Sequence, residues 1–354
     1  MYFECINCNT CVDANISISV CADCCYPLTI MHKDTSVLPR DLQIVTLGEG
    51  DSKVIQLSKL AKLVGVSKVY AKLENGNPTG SFKDRGSAMM IGAIKATRVK
   101  NIVEDSSGNA GASVAAYSAA AGIEAHIFVP ENIPKAKLDQ ILVYGATLHK
   151  VPGHRDNAAK RAKQFVSEKQ FLYASHNISP YFLEGTKSFA YEIVNELGFN
   201  MPDHIIIPVG NGSLLISTYL ALKDLWLSGT IGMLPKLYAI QSDAIKPIVS
   251  ELHNTEWTFN PKQTTCADGI ASSNPPRMQQ ILQAIKDSKG DSISVSEESI
   301  QRYRRILAQT EGVYMEPTSA AAFAGLETLV ENKKIEAQDS ALIPVTGAGL
   351  KSPA

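Results

Sequence analysis

Lys83 stands in Asn77-Pro78-Thr79-Gly80-Ser81-Phe82-Lys83-Asp84-Arg85-Gly86, where a Pro- and Gly-containing turn hands a lysine to the start of a helical stretch at 87–96. A helix N-terminus and a sheet edge lower the pKa of an amine, and a deprotonated amine is what imine chemistry requires. A lone lysine is ordinarily a solvated surface residue, so this segment gains meaning only beside others. Ser106-Ser107-Gly108-Asn109-Ala110-Gly111-Ala112-Ser113 puts short hydroxyls, an amide and backbone N–H groups at another helix start, which makes an anion cradle or an ordinary capped helix. Pro208-Val209-Gly210-Asn211-Gly212-Ser213 suits a phosphate monoester, with backbone donors and a helix dipole behind them. It has neither the lysine and spacing of an ATP-binding P-loop nor a G-x-G-x-x-G dinucleotide turn. Val345-Thr346-Gly347-Ala348-Gly349 closes the set by placing the Thr346 hydroxyl at a strand end.

A second kind of chemistry lies at the N-terminus. Cys5-x-x-Cys8, twelve residues, then Cys21-x-x-Cys24 is the spacing of a four-thiolate zinc ribbon, each C-x-x-C turn giving two thiolates to one metal. A redox-active cluster or an iron–sulfur site are the alternatives, with Cys11 and Cys25 close by. Of seven cysteines only Cys266 lies elsewhere, and it reads as a small buried residue in preference to a nucleophile. His154 and His176 have no paired carboxylate apparent and read as loop or packing residues.

The elements that must carry these segments alternate. Short β-branched runs at 69–73, 102–103, 126–129, 205–209, 238–240 and 341–345 read as buried strands, and 112–121, 137–144, 157–168, 186–197 and 214–225 as helices between them. That alternation predicts an α/β fold with parallel sheets covered on both faces, whose ligands bind beyond the carboxyl ends of the strands. All four Gly-containing segments follow a predicted strand. Residues 1–30 form a separate Cys-rich unit without Lys or Arg, joined to the body by a linker-like stretch containing Pro39.

With 34 basic and 35 acidic residues in 354, the net charge of −1 offers no footprint for nucleic acid or an anionic membrane. No apolar run approaches the roughly 20 residues of a spanning helix, and no secretory signal is apparent. A cytoplasmic enzyme is expected.

Taken together, the four segments resemble the threonine synthase family of pyridoxal-phosphate (PLP) enzymes, within the tryptophan-synthase-β-like fold type II. The 77–86, 106–113 and 210–213 segments, then Glu316-Pro317-Thr318-Ser319-Ala320-Ala321 and Thr346-Gly347-Ala348-Gly349-Leu350-Lys351, match that family's motifs in order, over about 44–351. The resemblance implies a two-lobed enzyme: a large PLP lobe at 31–89 and 151–354, a small mobile lobe at 90–150, and the cofactor in the cleft. It implies that Lys83 bonds the cofactor aldehyde and later moves protons at the substrate, and that Asn109 hydrogen-bonds the ring 3′-oxygen. Gly210, Asn211, Gly212 and Ser213 would hold the cofactor phosphate, and Thr346 would face the pyridine nitrogen. Ser107, Lys137 and Asn177 would meet the substrate. A homodimer is implied as well, and relatives with a similar Cys-rich extension support a structural metal at Cys5, Cys8, Cys21 and Cys24.

One stretch departs from the family. There, the segment before Glu184-Gly185-x-Lys187 supplies an Asn-Ser pair and an Arg for the substrate phosphate; here it reads Ser175-His176-Asn177-Ile178-Ser179-Pro180-Tyr181-Phe182-Leu183, and the Arg position holds Phe182. Loss of a bidentate guanidinium costs about 2–4 kcal/mol unless Lys137, Arg155, Lys187 or Arg277 replaces it. The expected reaction is O-phosphohomoserine plus water to threonine plus phosphate. The alternatives are a threonine or serine ammonia-lyase or a β-replacement enzyme on another activated amino acid, and, from a different class, a catalytically silent PLP-fold interaction module.

Overall fold

The computed structural model describes residues 1–32, 45–131, 135–153, 155–198, 200–260 and 262–352, without the side chains of 135–137, 155 and 156. The linker-like stretch around Pro39 and His154 lie outside the described residues. The chain groups into two compact units, Met1–Glu49 with Asn77–Thr186, and Gly50–Gly76 with Lys187–Ala354. The first takes in the whole 90–150 segment together with Lys83, which the sequence had assigned to the larger lobe.

The first unit contains a parallel four-stranded sheet in the order Thr147–Val151, Glu124–Pro130, Asn101–Glu104, Leu172–Tyr173. Helices Lys83–Ala96, Asn109–Ala121, Lys135–Val143, Arg155–Lys169 and Pro180–Thr186 accompany it. The interior runs from Ala88, Met90, Ile91 and Ile94 on the first of these through Val114, Ala115 and Tyr117 on the second to Ile102, Ile127 and Val129 of the strands. Small alanines on Asn109–Ala121 let that helix lie close to the sheet, where burial of each methylene contributes about 0.8 kcal/mol. The Cys-rich residues fold as a three-stranded antiparallel sheet, Cys11–Asp13, Tyr2–Glu4, Thr29–Met31. This small sheet has no separate core: Phe3, Leu28 and Ile30 share one apolar cluster with Met89, Tyr181 and Phe182.

The second unit is built on a six-stranded sheet in the order Asp291–Val295, Lys236–Ser242, His204–Pro208, Ser340–Pro344, Lys68–Lys72, Val54–Gln56. All pairs are parallel except the last, where the edge strand Val54–Gln56 runs antiparallel. The central strand His204–Pro208 is buried along its length, as its continuous Ile205-Ile206-Ile207 run predicts. The Ala-rich helix Pro317–Glu331 packs on this sheet through Ala320, Ala321, Phe323 and Leu326. Among the described residues no helix is long and apolar enough to cross a membrane.

Candidate active site

In the first unit, the turn before the lysine is organised by Asp84. Its carboxylate accepts the Thr79 backbone N–H at 2.7 Å and the Thr79 hydroxyl at 2.6 Å, folding the turn back over the first helical residues. Lys83 is therefore the first residue of its helix, four positions earlier than the sequence pattern predicts. Its half-buried amine lies 4.4 Å from the Phe82 ring centroid and 5.8 Å from that of Phe182. Asn109 opens the neighbouring helix in the same way. Ser87 and Ser113 each lie one helical turn beyond Lys83 and Asn109, and their hydroxyls meet at 2.7 Å in the interior, so the two helix starts are held in register. Gln140 Nε2 donates to the Thr79 carbonyl at 2.9 Å, tying the helix Lys135–Val143 to the lysine turn. Lys137 lies on that helix with its side chain outside the described residues. Ser107 sits half-buried in the turn after the strand Asn101–Glu104, and Asn177 half-buried in the turn after Leu172–Tyr173, so both leave carboxyl ends of neighbouring strands.

The same rim holds a pairing that nothing in the sequence spacing signals. Glu104 and His176 are 72 residues apart, yet His176 Nδ1 lies 2.8 Å from Glu104 Oε1 and the His176 backbone N–H donates to Oε2 at 3.0 Å. His176 thus has a carboxylate partner, contrary to its reading as an unpaired loop residue. Beside it the Ser175 hydroxyl donates to Asp105 at 3.1 Å. Phe182 is 0% exposed on the helix Pro180–Thr186, and its ring lies on the lysine helix at Gly86, where a Cβ would come within 2.7 Å of the ring carbons. This position is an interior ring and carries no charge toward a ligand.

In the second unit, the turns at 209–212 and 345–348 leave the carboxyl ends of two adjacent parallel strands, His204–Pro208 and Ser340–Pro344. Gly212, at φ +84°, adopts the left-handed conformation that starts the helix Ser213–Leu227 without a side-chain cap, and a Cβ there would strike Ile281 at 2.4 Å. Uncapped first-turn N–H groups behind a glycine turn are donors for an anion. Asn211 Oδ1 accepts the Ser272 hydroxyl at 2.6 Å, and the Gly269 N–H donates to Thr318 Oγ1 at 3.0 Å, so the 268–272 segment closes beside the glycine turn. Thr346 is buried; its hydroxyl lies 2.8 Å from Ser319 Oγ and donates to Glu316 at 3.3 Å. Glu316 and Ser319 thus orient Thr346, a role the sequence motif did not disclose. Of the cations that could replace the family arginine, Lys187 and Arg277 are buried, and Arg277 donates to Gln280 at 2.8 Å. Burial pushes the Cys266 thiol up to about 12, which keeps it a thiol at neutral pH and fits its reading as a packing residue.

The residues fit PLP by the chemistry of their donors. A helix start without a side-chain cap follows Gly212, Thr346 offers an oriented neutral hydroxyl, and Ser81 Oγ, two residues before Lys83, is a buried polar atom without a hydrogen-bond partner.

At the N-terminus the sulfurs of Cys5, Cys8, Cys21 and Cys24 all lie within 4.8 Å of one another. Cys5–Cys24, Cys8–Cys21 and Cys8–Cys24 are 3.4, 3.5 and 3.6 Å apart. These separations exceed a disulfide and approach the roughly 3.8 Å edge of a tetrahedron with 2.3 Å metal–sulfur bonds. Cys11 and Cys25 are exposed and stand outside the cluster.

Comparison with known proteins speaks to the family and the fold. Residues 45–347 match the family of pyridoxal-phosphate dependent enzymes. Threonine synthase of Methanocaldococcus jannaschii is 37% identical over 316 residues, spanning 88% of this chain and 77% of that protein. Threonine synthase of Methanosarcina acetivorans is 34% identical, spanning 91% and 80%. Maize serine racemase superposes with a TM-score of 0.73 at 23% identity, over 84% of this chain and 88% of that one, which speaks to the fold alone.

Proposed function

The chain belongs to the threonine synthase family of PLP-dependent enzymes, and from that membership we propose that it converts O-phosphohomoserine and water into threonine and phosphate. The observation that carries the reading is the match along nearly the whole body, with a lysine, an asparagine, a glycine turn and a threonine each at a helix start or strand end. When bound, PLP supplies an electron sink for carbanion character on the substrate. Lys83 is the amine that holds it and the group that takes and returns protons at the substrate carbons. Asn109 donates to the ring 3′-oxygen. The N–H groups of the 210–213 turn bind the cofactor phosphate. Thr346, oriented by Ser319 and Glu316, faces the pyridine nitrogen as a neutral partner and leaves it less protonated than a carboxylate would, which suits elimination and replacement. Ser107, Lys137 and Asn177 contact the substrate.

Cys5, Cys8, Cys21 and Cys24 hold a structural Zn²⁺; the four sulfurs within 4.8 Å of one another support this. The enzyme works in the cytoplasm as a homodimer on a small amino-acid substrate, without nucleic-acid or membrane partners.

One observation favours a second reading. With residue 182 an interior ring, the substrate phosphate lacks the family's arginine, and a substrate without a γ-phosphate, such as serine or threonine undergoing deamination, would fit. The test is to incubate the PLP-loaded chain with O-phosphohomoserine and follow phosphate and threonine together. Equal release of both, at about 1 s⁻¹ or faster, is expected. No turnover while the lysine-bound cofactor absorbs normally would transfer the assignment to the deaminase reading.

A further inference from the structure

Glu104, His176, Phe182 and Lys83 form a continuous series within the first unit. Glu104 is 0% exposed and grips His176 twice, through Nδ1 at 2.8 Å and through the backbone N–H at 3.0 Å. Two bonds from one buried carboxylate fix both the ring and the segment that carries it. The His176 ring then stands edge-on to Phe182, with centroids 5.6 Å apart and planes at 66°. Phe182 is seated on Gly86 and accepts a backbone constraint of its own, its N–H donating to Ser179 Oγ at 3.3 Å. Its ring lies 5.8 Å from the Lys83 amine, inside the range of cation–π attraction, and Phe82 supplies a second ring at 4.4 Å.

We infer that Glu104 and His176 are positioning residues that hold the Phe182 ring as an aromatic partner of the Lys83 amine. A guanidinium at position 182 would set a like charge near that amine and depress its basicity. The ring does the opposite, because its negative face favours the ammonium form. Replacing a cation by an aromatic face here therefore changes the proton affinity of the reacting lysine as well as the contacts open to the substrate.

The inference rests on Lys83 being the amine that takes the cofactor, and the experiment separates the two. Cofactor-free protein is mixed with PLP across a range of pH, and the rate at which the visible absorbance of the lysine-bound cofactor appears is recorded. Borohydride reduction and peptide mass mapping then locate the bound group; a location other than Lys83 overturns the site assignment itself. Phenylalanine carrying one, two or three ring fluorines is placed at position 182, which preserves shape while weakening the ring's negative face. The midpoint pH for capture is expected to fall stepwise, by roughly half a unit to one unit across the series. A midpoint indifferent to fluorination overturns the inference.

Glu104→Gln, which keeps the size but not the charge, is expected to lower the midpoint and to blunt the fluorine effect, since the ring is no longer held in place. Strictly additive effects of the two changes would contradict the positioning role. If Glu104→Gln does not yield folded protein, His176→Asn takes its place in the same cycle.

Discussion

In the proposed reaction Lys83 is the residue on which the chemistry turns, and its neighbours show how a common side chain is positioned. Asp84 bends the preceding turn through Thr79, and the Ser87–Ser113 bond aligns the lysine and asparagine helices. Lys83→Ala is expected to remove the visible absorbance of the bound cofactor and to lower turnover at least about 10³-fold, with little change in the unfolding midpoint. Absorbance and turnover surviving together would refute the assignment. Thr346 allows a complementary test. Thr346→Val keeps the shape but removes the hydroxyl that meets Ser319 and Glu316, which costs about 1–3 kcal/mol. Urea unfolding of the cofactor-free protein measures that loss, and an unchanged midpoint would mean the network is not a stabilising one. The candidacy of these residues was legible from their segments. Their orientation was not, because Glu316, Ser319 and Glu104 act across long separations in sequence that spacing does not encode.

At the scale of elements, the buried strands announced themselves and the edge strands did not. His204–Pro208 and Ser340–Pro344 lie inside the six-stranded sheet and read as continuous apolar runs. Thr147–Val151 and Asp291–Val295 close the edges of their sheets with mixed, partly exposed residues, so their signal is diluted by polar side chains. The lysine helix starts at Lys83, ahead of the expected 87–96 stretch, and its Gly86 is a seat for Phe182. One edge pair carries a pH dependence. His126 Nδ1 lies 3.0 Å from His149 Nε2 across adjacent strands, and burial lowers both imidazoles from 6.5. Below that value the unfolded chain binds protons that the folded pair resists, so stability is present above about pH 6.5 and is lost as pH falls. A urea midpoint that declines from pH 7 to pH 5.5, with a shallower decline in His149→Phe, is expected; parallel declines would contradict it. The Cys-rich sheet makes a second element-scale prediction. Phe3 meets Tyr181 edge-on at 5.7 Å and His32 Nε2 lies 2.8 Å from Glu184 Oε1, so this sheet braces the helix that carries Phe182. Chelating the proposed metal, or Cys21→Ser, is expected to lower the thermal midpoint by about 5 °C or more and to loosen cofactor retention. Unchanged melting after verified metal loss would make the cluster dispensable.

For the molecule as a whole, two α/β units each present Gly-containing turns at the carboxyl ends of parallel strands, the place where such sheets bind ligands. The alternation of strands and helices made that architecture legible. The extents of the units depend on packing between segments distant in sequence, and 77–89 and 151–186 group with the first unit. The departure at Phe182 gives the family membership its sharpest question: whether a chain with an interior ring at that position still removes a γ-phosphate by breaking a carbon–oxygen bond. Turnover of O-phosphohomoserine in ¹⁸O-labelled water answers it most directly. Label is expected in the hydroxyl of threonine, with unlabelled phosphate, since water adds to carbon while the ester oxygen leaves with phosphorus. Labelled phosphate with unlabelled homoserine would mean simple ester hydrolysis and would contradict the assignment.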